Sequence, residues 1–456
     1  MAVSAVSLAQ SNASPAVTPD TSLTWKGITL YGIVDIGLQS ETHGAPFNDY
    51  FPAGSADIVQ KDSNHSATGL TPSNMSQSRV GLQGLEPIYG DWSAVFKLET
   101  FFNPQSGDIS DALKSLAQNN GRALSAQTTN LDSSIAGQIF QQSFLGVSSP
   151  SFGTLTFGRQ NTVLADGVAK YDPNYASQAF SLIGLSGTTA GGGDTQDRRF
   201  DDSLKYTATY MQLVHVGLMY KFNQSYGEAN TAFEASAGAE YAGASIDAFY
   251  TRVKGAIAAS ALSLDDTLAL PGLGLNPSNS VAGTVSDNTA IALMGLYDLS
   301  SLNLGLKAFF GYENIKYANP EAPLAIGFDD IGGYKLGFVN NTAFDHAKFL
   351  QVYWAGLKYT VIPDLDMTVA YYGYHQSAYG TGADAGCTTS MSGTCSGSLE
   401  AFSFDADYRL TKRFDVYAGV MFTEVQNGLA AGYDAVGTGY LTRTDMDPTI
   451  GLRFKF

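Results

Sequence analysis

Between Gly27 and Phe456 runs recur in which every second side chain is apolar. The clearest run is Leu302 to Glu313, where each even position is apolar and the odd ones are mostly small, polar or charged. A period of two is that of an extended strand with one apolar face. The same alternation marks Ser93 to Leu98, Asp366 to Tyr371, Phe414 to Phe422 and Ile450 to Phe456. The pattern predicts sixteen strands, near 27–40, 74–86, 91–103, 138–149, 153–160, 201–211, 213–224, 232–242, 244–254, 287–298, 301–317, 346–361, 365–378, 398–410, 413–425 and 447–456. Helical periodicity is weak and confined to Asp111–Gln118 and Asn161–Lys170.

The connections alternate in length. Short ones fall at 87–90, 150–152, 242–243, 299–300, 362–364 and 411–412, and long ones at 41–73, 104–137, 161–200, 255–286, 318–345, 379–397 and 426–446; 225–231 is of middling length. A soluble sandwich scatters loop lengths over both ends, whereas an outer-membrane barrel keeps tight turns on one side and long loops on the other. Lipid admits only helices and closed barrels, and no window approaches the roughly 18 apolar residues of a membrane helix. The polar face carries too many Gly, Thr, Lys, Asp and Glu for a packed core. It suits a water-filled lumen, with the apolar face turned to lipid. Tyr220, Phe222, Tyr241, Tyr250, Tyr297, Tyr317, Tyr359 and Tyr408 stand near strand ends, where interfacial girdles form.

Composition agrees. Only 15% of the 456 residues are charged, against about 25% in ordinary soluble domains. The formal net charge of −17 argues against a nucleic-acid partner. Cys387 and Cys395, the two cysteines, share a Gly/Ser/Thr-rich loop. A disulfide there, in preference to two idle thiols, is the expectation for an exported chain. No histidine or third cysteine adjoins them, so neither a metal nor a cofactor is expected. Met1 to Ala9 reads as a signal remnant and residues up to 26 as a flexible lead-in, leaving 27–456 as a single barrel domain. The five histidines sit in unrelated contexts, and no nucleophile elbow, zinc-protease or phosphate-loop motif occurs. Enzymatic activity is therefore not expected. An adhesin or purely structural barrel is the alternative from another class, and bilayer conductance separates it from a pore.

Several segments resemble a known family. These are Thr29–Gly37 (TLYGIVDIG), Ser78–Glu86 (SRVGLQGLE), Phe96–Thr100 (FKLET), Phe144–Gln160 (FLGVSSPSFGTLTFGRQ) and the terminal Phe456. Together they are similar to the general porins of Gram-negative proteobacteria, the trimeric sixteen-stranded family of Neisseria, Bordetella and Burkholderia relatives. The resemblance implies an all-β, antiparallel outer-membrane barrel with short periplasmic turns, long external loops and a third loop, 161–200, folded inward. It implies a homotrimer among outer-membrane lipids and lipopolysaccharide that passes small hydrophilic solutes and ions by passive diffusion. A narrower alternative is a channel selective for organic or aromatic acids.

The family sets basic wall residues against acids on the folded loop. Alternation sends Val80 and Leu82 to lipid and hence Arg79 to water, and the same logic turns Lys97, Glu99, Lys205, Tyr31 and Asp35 inward. Arg159 ends its strand, where alternation does not fix a direction. The wall set is thus Arg79, Lys97, Arg159 and Lys205, and the loop acids are Asp166, Asp172, Asp194 and Asp197. The first, second and fifth loops and the cysteine loop exceed the family pattern, which leaves the solute open.

Overall fold

The alternating segments do pair edge to edge. The computed structural model describes residues 23–42, 66–107, 109, 112–122, 139–183, 199–222, 231–302, 304–329, 332–381, 394–430 and 442–456. Nineteen strands join one sheet. Three are short: Thr24–Trp25, Ala67–Pro72 and Lys335–Asn340. The other sixteen are β1 (Ile28–Glu41), β2 (Arg79–Tyr89), β3 (Trp92–Phe101), β4 (Gln142–Ser149), β5 (Gly153–Asn161), β6 (Arg199–Tyr210), β7 (Val214–Lys221), β8 (Ala232–Tyr241), β9 (Ala244–Ser260), β10 (Ser280–Asp298), β11 (Leu306–Ala318), β12 (Lys348–Ile362), β13 (Leu365–Gln376), β14 (Gly397–Arg409), β15 (Phe414–Asn427) and β16 (Thr442–Lys455). Each pairs antiparallel with the next, and β16 returns to β1 from Thr449↔Gln39 to Lys455↔Ile33. The barrel is closed and sixteen-stranded, as the alternation predicts.

Three boundaries differ for physical reasons. The second strand begins at Arg79, not near 74, because residues 73–78 leave the wall and turn inward against Asp35. The upper half of β1 pairs instead with Ala67–Pro72. β9 and β10 run past the expected 254 and 287. After a bulge between Val253 and Ala256, where Gly255 takes φ 65°, they continue as a two-stranded ribbon from Ala256↔Ser286 to Ser260↔Ala282. The ribbon packs Ile257, Val281 and Val285 against Leu113 and Leu116 of helix α1 (Ala112–Gln118) and against Leu336. Lys335–Asn340 runs parallel to the start of β10, the exception to the antiparallel order.

Faces alternate as inverted-barrel logic requires. On β14 Phe402, Phe404 and Tyr408 are exposed while Ser403, Asp405 and Asp407 are buried, and on β9 Ile246 and Tyr250 alternate with Asp247 and Thr251. Of the expected girdle, Tyr317 is a correction: it turns inward and stacks on Phe344 at 6.3 Å. The interior is also less uniformly polar than alternation suggests. Met219, Phe249, Trp354, Tyr372 and Met421 form a buried apolar cluster with Val163, Leu164, Val168 and Tyr171 of the third loop. The loop brings its own apolar side chains inside, and the wall beneath it answers in kind.

The candidate constriction

The third loop opens with helix α2 (Val163–Tyr171), inside the barrel. Thr162 caps it, its hydroxyl accepting from the Ala165 N–H at 3.0 Å. The Glu234 carboxylate of β8 accepts from the N–H groups of Val163 (2.6 Å) and Leu164 (3.4 Å), placing an acid at the positive end of the helix. At the other end the Trp354 indole donates to the Tyr171 carbonyl at 3.0 Å. Lys170 and the Tyr171 hydroxyl both reach Asp247 of β9, the former at 3.2 Å, and His215 Nδ1 approaches the same carboxylate at 3.2 Å. Gly167 lies against the Phe249 ring, with no room for a Cβ.

Past the helix the chain follows the inner wall. Asp172 is fully buried, accepting from the Tyr372 hydroxyl of β13 at 2.7 Å and from the Ala176 N–H. Burial raises this carboxyl above the usual range, against the lowering pull of those donors. Pro173 packs on Gly356 of β12, where a Cβ would come within 2.5 Å of the proline ring. Asn174 donates to Ser403 of β14 at 3.2 Å, and Phe180 meets Tyr417 of β15 edge-on at 6.3 Å. The described part of the loop thus lines the wall from β7 round to β15.

The wall from β2 to β6 carries a basic group. Arg79 Nε stands 3.8 Å and Lys97 Nζ 3.4 Å from Glu99 Oε2. The same carboxylate accepts from the Tyr31 hydroxyl at 2.8 Å and the Gln142 amide at 2.9 Å. Lys97 lies 5.5 Å from the Tyr31 ring centre, and Arg199 lies over the Phe101 ring at 4.8 Å. Lys205 on β6 pairs with Asp166 of α2 and donates to the Asn161 carbonyl at 2.9 Å.

Arg79, Lys97, Glu99 and Tyr31 are therefore brought together, and Lys205 meets a loop acid. Arg159 pairs instead with Asp201 on the neighbouring strand. Asp172 faces the β13 wall through Tyr372, not the basic group. Asp35 is buried, accepting from the N–H groups of Met75 (3.1 Å) and Ser76 (2.8 Å) and from the Tyr417 hydroxyl. Asp194, Asp197 and Cys387 lie outside the described residues; Cys395 is buried.

Two sets went unnoticed in the sequence. Arg199 sat at a loop boundary with no periodic context. Arg453, in contrast, belongs to the alternating run Ile450–Phe456, so the parity that turned Arg79 inward also pointed to it. Its guanidinium bonds Asp415 at 2.8 Å, Asp407 at 2.6 Å and the Ser76 hydroxyl at 2.7 Å, while Lys455 reaches Asp415 at 2.6 Å.

Comparison with known proteins follows the same line. A family model described as Gram-negative porin matches residues 1–428. An outer membrane porin protein of Bordetella pertussis is 27% identical over 206 residues, a stretch covering 44% of this chain and 44% of that protein. The match thus spans less than half the length of that curated relative. Among solved structures, an anion-selective porin from Comamonas acidovorans superposes with a TM-score of 0.59 at 17% identity, covering 94% of this chain and 99% of that one. OmpT of Vibrio cholerae in its trimer form gives 0.56 at 14% identity, with 94% and 99% covered. The outer membrane channel DcaP of Acinetobacter baumannii gives 0.53 at 14% identity, with 94% and 97% covered.

Proposed function

The chain belongs to the Gram-negative porin family, and on that premise we propose that it forms a water-filled channel in the outer membrane for passive diffusion of small hydrophilic solutes, with anions favoured at the narrowest point. The observation that carries the anion preference is the β2–β6 wall. Arg79 and Lys97 converge on one carboxylate, Glu99, with Arg199 close enough to act electrostatically on Lys97. Of the described third-loop acids, Asp166 is paired with Lys205 and Asp172 is turned to another wall. A field set by such side chains between low-dielectric walls governs what a solute meets. The net charge of −17 does not, because acids more than a Debye length of about 8 Å away are screened.

Tyr31 and Phe101 lie beside Lys97 and Arg199, which favours organic or aromatic carboxylates as a narrower solute class. A homotrimer embedded in outer-membrane lipid and lipopolysaccharide is the proposed assembly; OmpT of Vibrio cholerae has been solved in a trimer form. The proposed role requires no catalytic step. A bridge between Cys387 and Cys395 and an export signal at the start of the chain complete the proposal.

Reconstitution in planar bilayers tests it. The expected result is stepwise conductance with a reversal potential, in a potassium chloride gradient, on the chloride side of zero. Absence of conductance overturns the channel, and a potassium-side reversal overturns the anion preference alone.

A further inference from the structure

We propose that residues 73–78 of the first long loop are a second element of the constriction, with Gln77 lining the pore and Asp35 and Arg453 as the positioning residues that hold the segment inside the barrel. The inference rests on the channel reading and extends it from one inward loop to two.

The segment is fastened at both ends to the backbone of Asp35. The Ser73 N–H donates to the Asp35 carbonyl at 2.8 Å, and the Ser78 hydroxyl exchanges bonds with the Asp35 N–H and carbonyl at 3.0 Å each. The Asp35 carboxylate takes the N–H groups of Met75 and Ser76 between them. One residue of β1 thereby satisfies donors along a turn that a strand would have paired along its edge. Ser73 adopts φ 63°, the left-handed conformation that turns the chain off the wall. From the opposite side of the seam, Arg453 of β16 reaches the Ser76 hydroxyl, its remaining donors fixed by Asp407 and Asp415.

The segment also docks on residues 178–180 of the third loop. The Ala179 N–H donates to the Asn74 carbonyl at 2.9 Å, and the Gln178 amide donates to Gln77 Oε1 at 2.8 Å. Met75 packs with Ala179, Phe180 and Tyr417 in a buried cluster. Ser73, Asn74, Met75, Ser76 and Ser78 are all buried, and Gln77 alone within the segment is only half-buried. That side chain precedes Arg79 by two positions, at the edge of the basic wall. The two inward segments therefore form one continuous rim, and the rung beside the cations is a neutral amide pair, not a carboxylate.

The test is cysteine substitution in the full-length protein. Gln77→Cys channels in planar bilayers are exposed to a cationic and to an anionic methanethiosulfonate reagent, with the unsubstituted protein as control for Cys387 and Cys395. If Gln77 lines the pore, labelling lowers single-channel conductance by about half, and the cationic label moves the reversal potential toward anions while the anionic label moves it toward cations. Mass spectrometry establishes attachment. A labelled channel with unchanged conductance, or a thiol the reagent never reaches, overturns the proposal. Ser76→Ala removes the contact with Arg453 and spares the barrel wall. Its conductance should rise and fluctuate more than that of the parent, and Arg453→Lys should retain most of the parental value. Ser76→Ala channels identical to the parent overturn the positioning role. A parent protein that makes no channels overturns the channel reading itself, a result distinct from either.

Discussion

The hydroxyl of Tyr372 donates to Asp172 Oδ1 across 2.7 Å, joining residues 200 positions apart. It is one of the ties that fix the third loop to the far wall just beyond α2, beside the Asn174–Ser403 bond. Tyr372→Phe would leave a buried carboxylate short of a donor, at a cost of about 1–3 kcal/mol. The pH dependence gives the mechanism away. Burial raises the Asp172 carboxyl, so ionising it costs the folded state, and stability declines as pH rises from the unfolded value near 4 through the raised folded one. Tyr372 eases that cost by favouring the ionised form. The loss in Tyr372→Phe should therefore be larger at pH 7 than below pH 3.5. Equal shifts in the urea midpoint at both pH values would count against the tie.

Arg79→Ala should raise conductance and move selectivity toward cations, because it removes one of the two charges that converge on Glu99. Single-channel recording in a salt gradient reads both. If neither changes, Arg79 stands away from the narrowest point.

Asp166→Asn should act in the opposite sense. It releases Lys205 from its loop partner, so the wall gains an uncompensated cation and the reversal potential shifts further toward anions. A shift toward cations would mean that Lys205 finds another carboxylate as soon as the first is removed.

Gly167→Ala pushes a methyl group into the Phe249 ring. Overpacking of this kind costs about 1–3 kcal/mol, and here it should also displace α2 and alter conductance. The double variant Gly167→Ala/Phe249→Ala should recover the parental conductance if contact between these two residues is the cause. Recovery failing in the double variant would place the cause elsewhere in the helix.

Mass spectrometry of freshly exported protein should find Cys387 and Cys395 joined. The loop they would close is short, so reduction should change unfolding stability by about 2–3 kcal/mol at most and leave conductance untouched. Two free thiols would refute the bridge.

What could be read from the chain follows from the range of the signal. Strand parity is local, so Val80 and Leu82 suffice to turn Arg79 inward, and the run Ile450–Phe456 contains Arg453 in the same way. Loop-to-wall partners are not local. Nothing near Asp172 announces Tyr372, and nothing near Ser76 announces Arg453, because those contacts depend on where the loops travel after leaving the strands. The start of β2 departs from the composition for a related reason. Residues 74–78 continue toward a strand in composition, but the Asp35 carboxylate outcompetes the ladder for their N–H groups. Tyr317 shows the limit of composition at strand ends, where an aromatic suits a lipid girdle and a buried stack equally well.

The seam between β16 and β1 has a bearing on assembly. Gly32 and Phe456 exchange backbone bonds at 2.9 and 3.0 Å, so the strand that begins the barrel waits for the residue at position 456. Every other pairing among the sixteen barrel strands joins strands that follow one another in that order. This last pairing carries the greatest sequence separation and closes the longest loop, the slow kind of contact in folding. Until it forms, two hydrogen-bonding edges stand open, each a template for pairing with another chain. Removal of the last few residues should therefore strand an open sheet, whereas trimming an external loop should leave a channel able to complete itself.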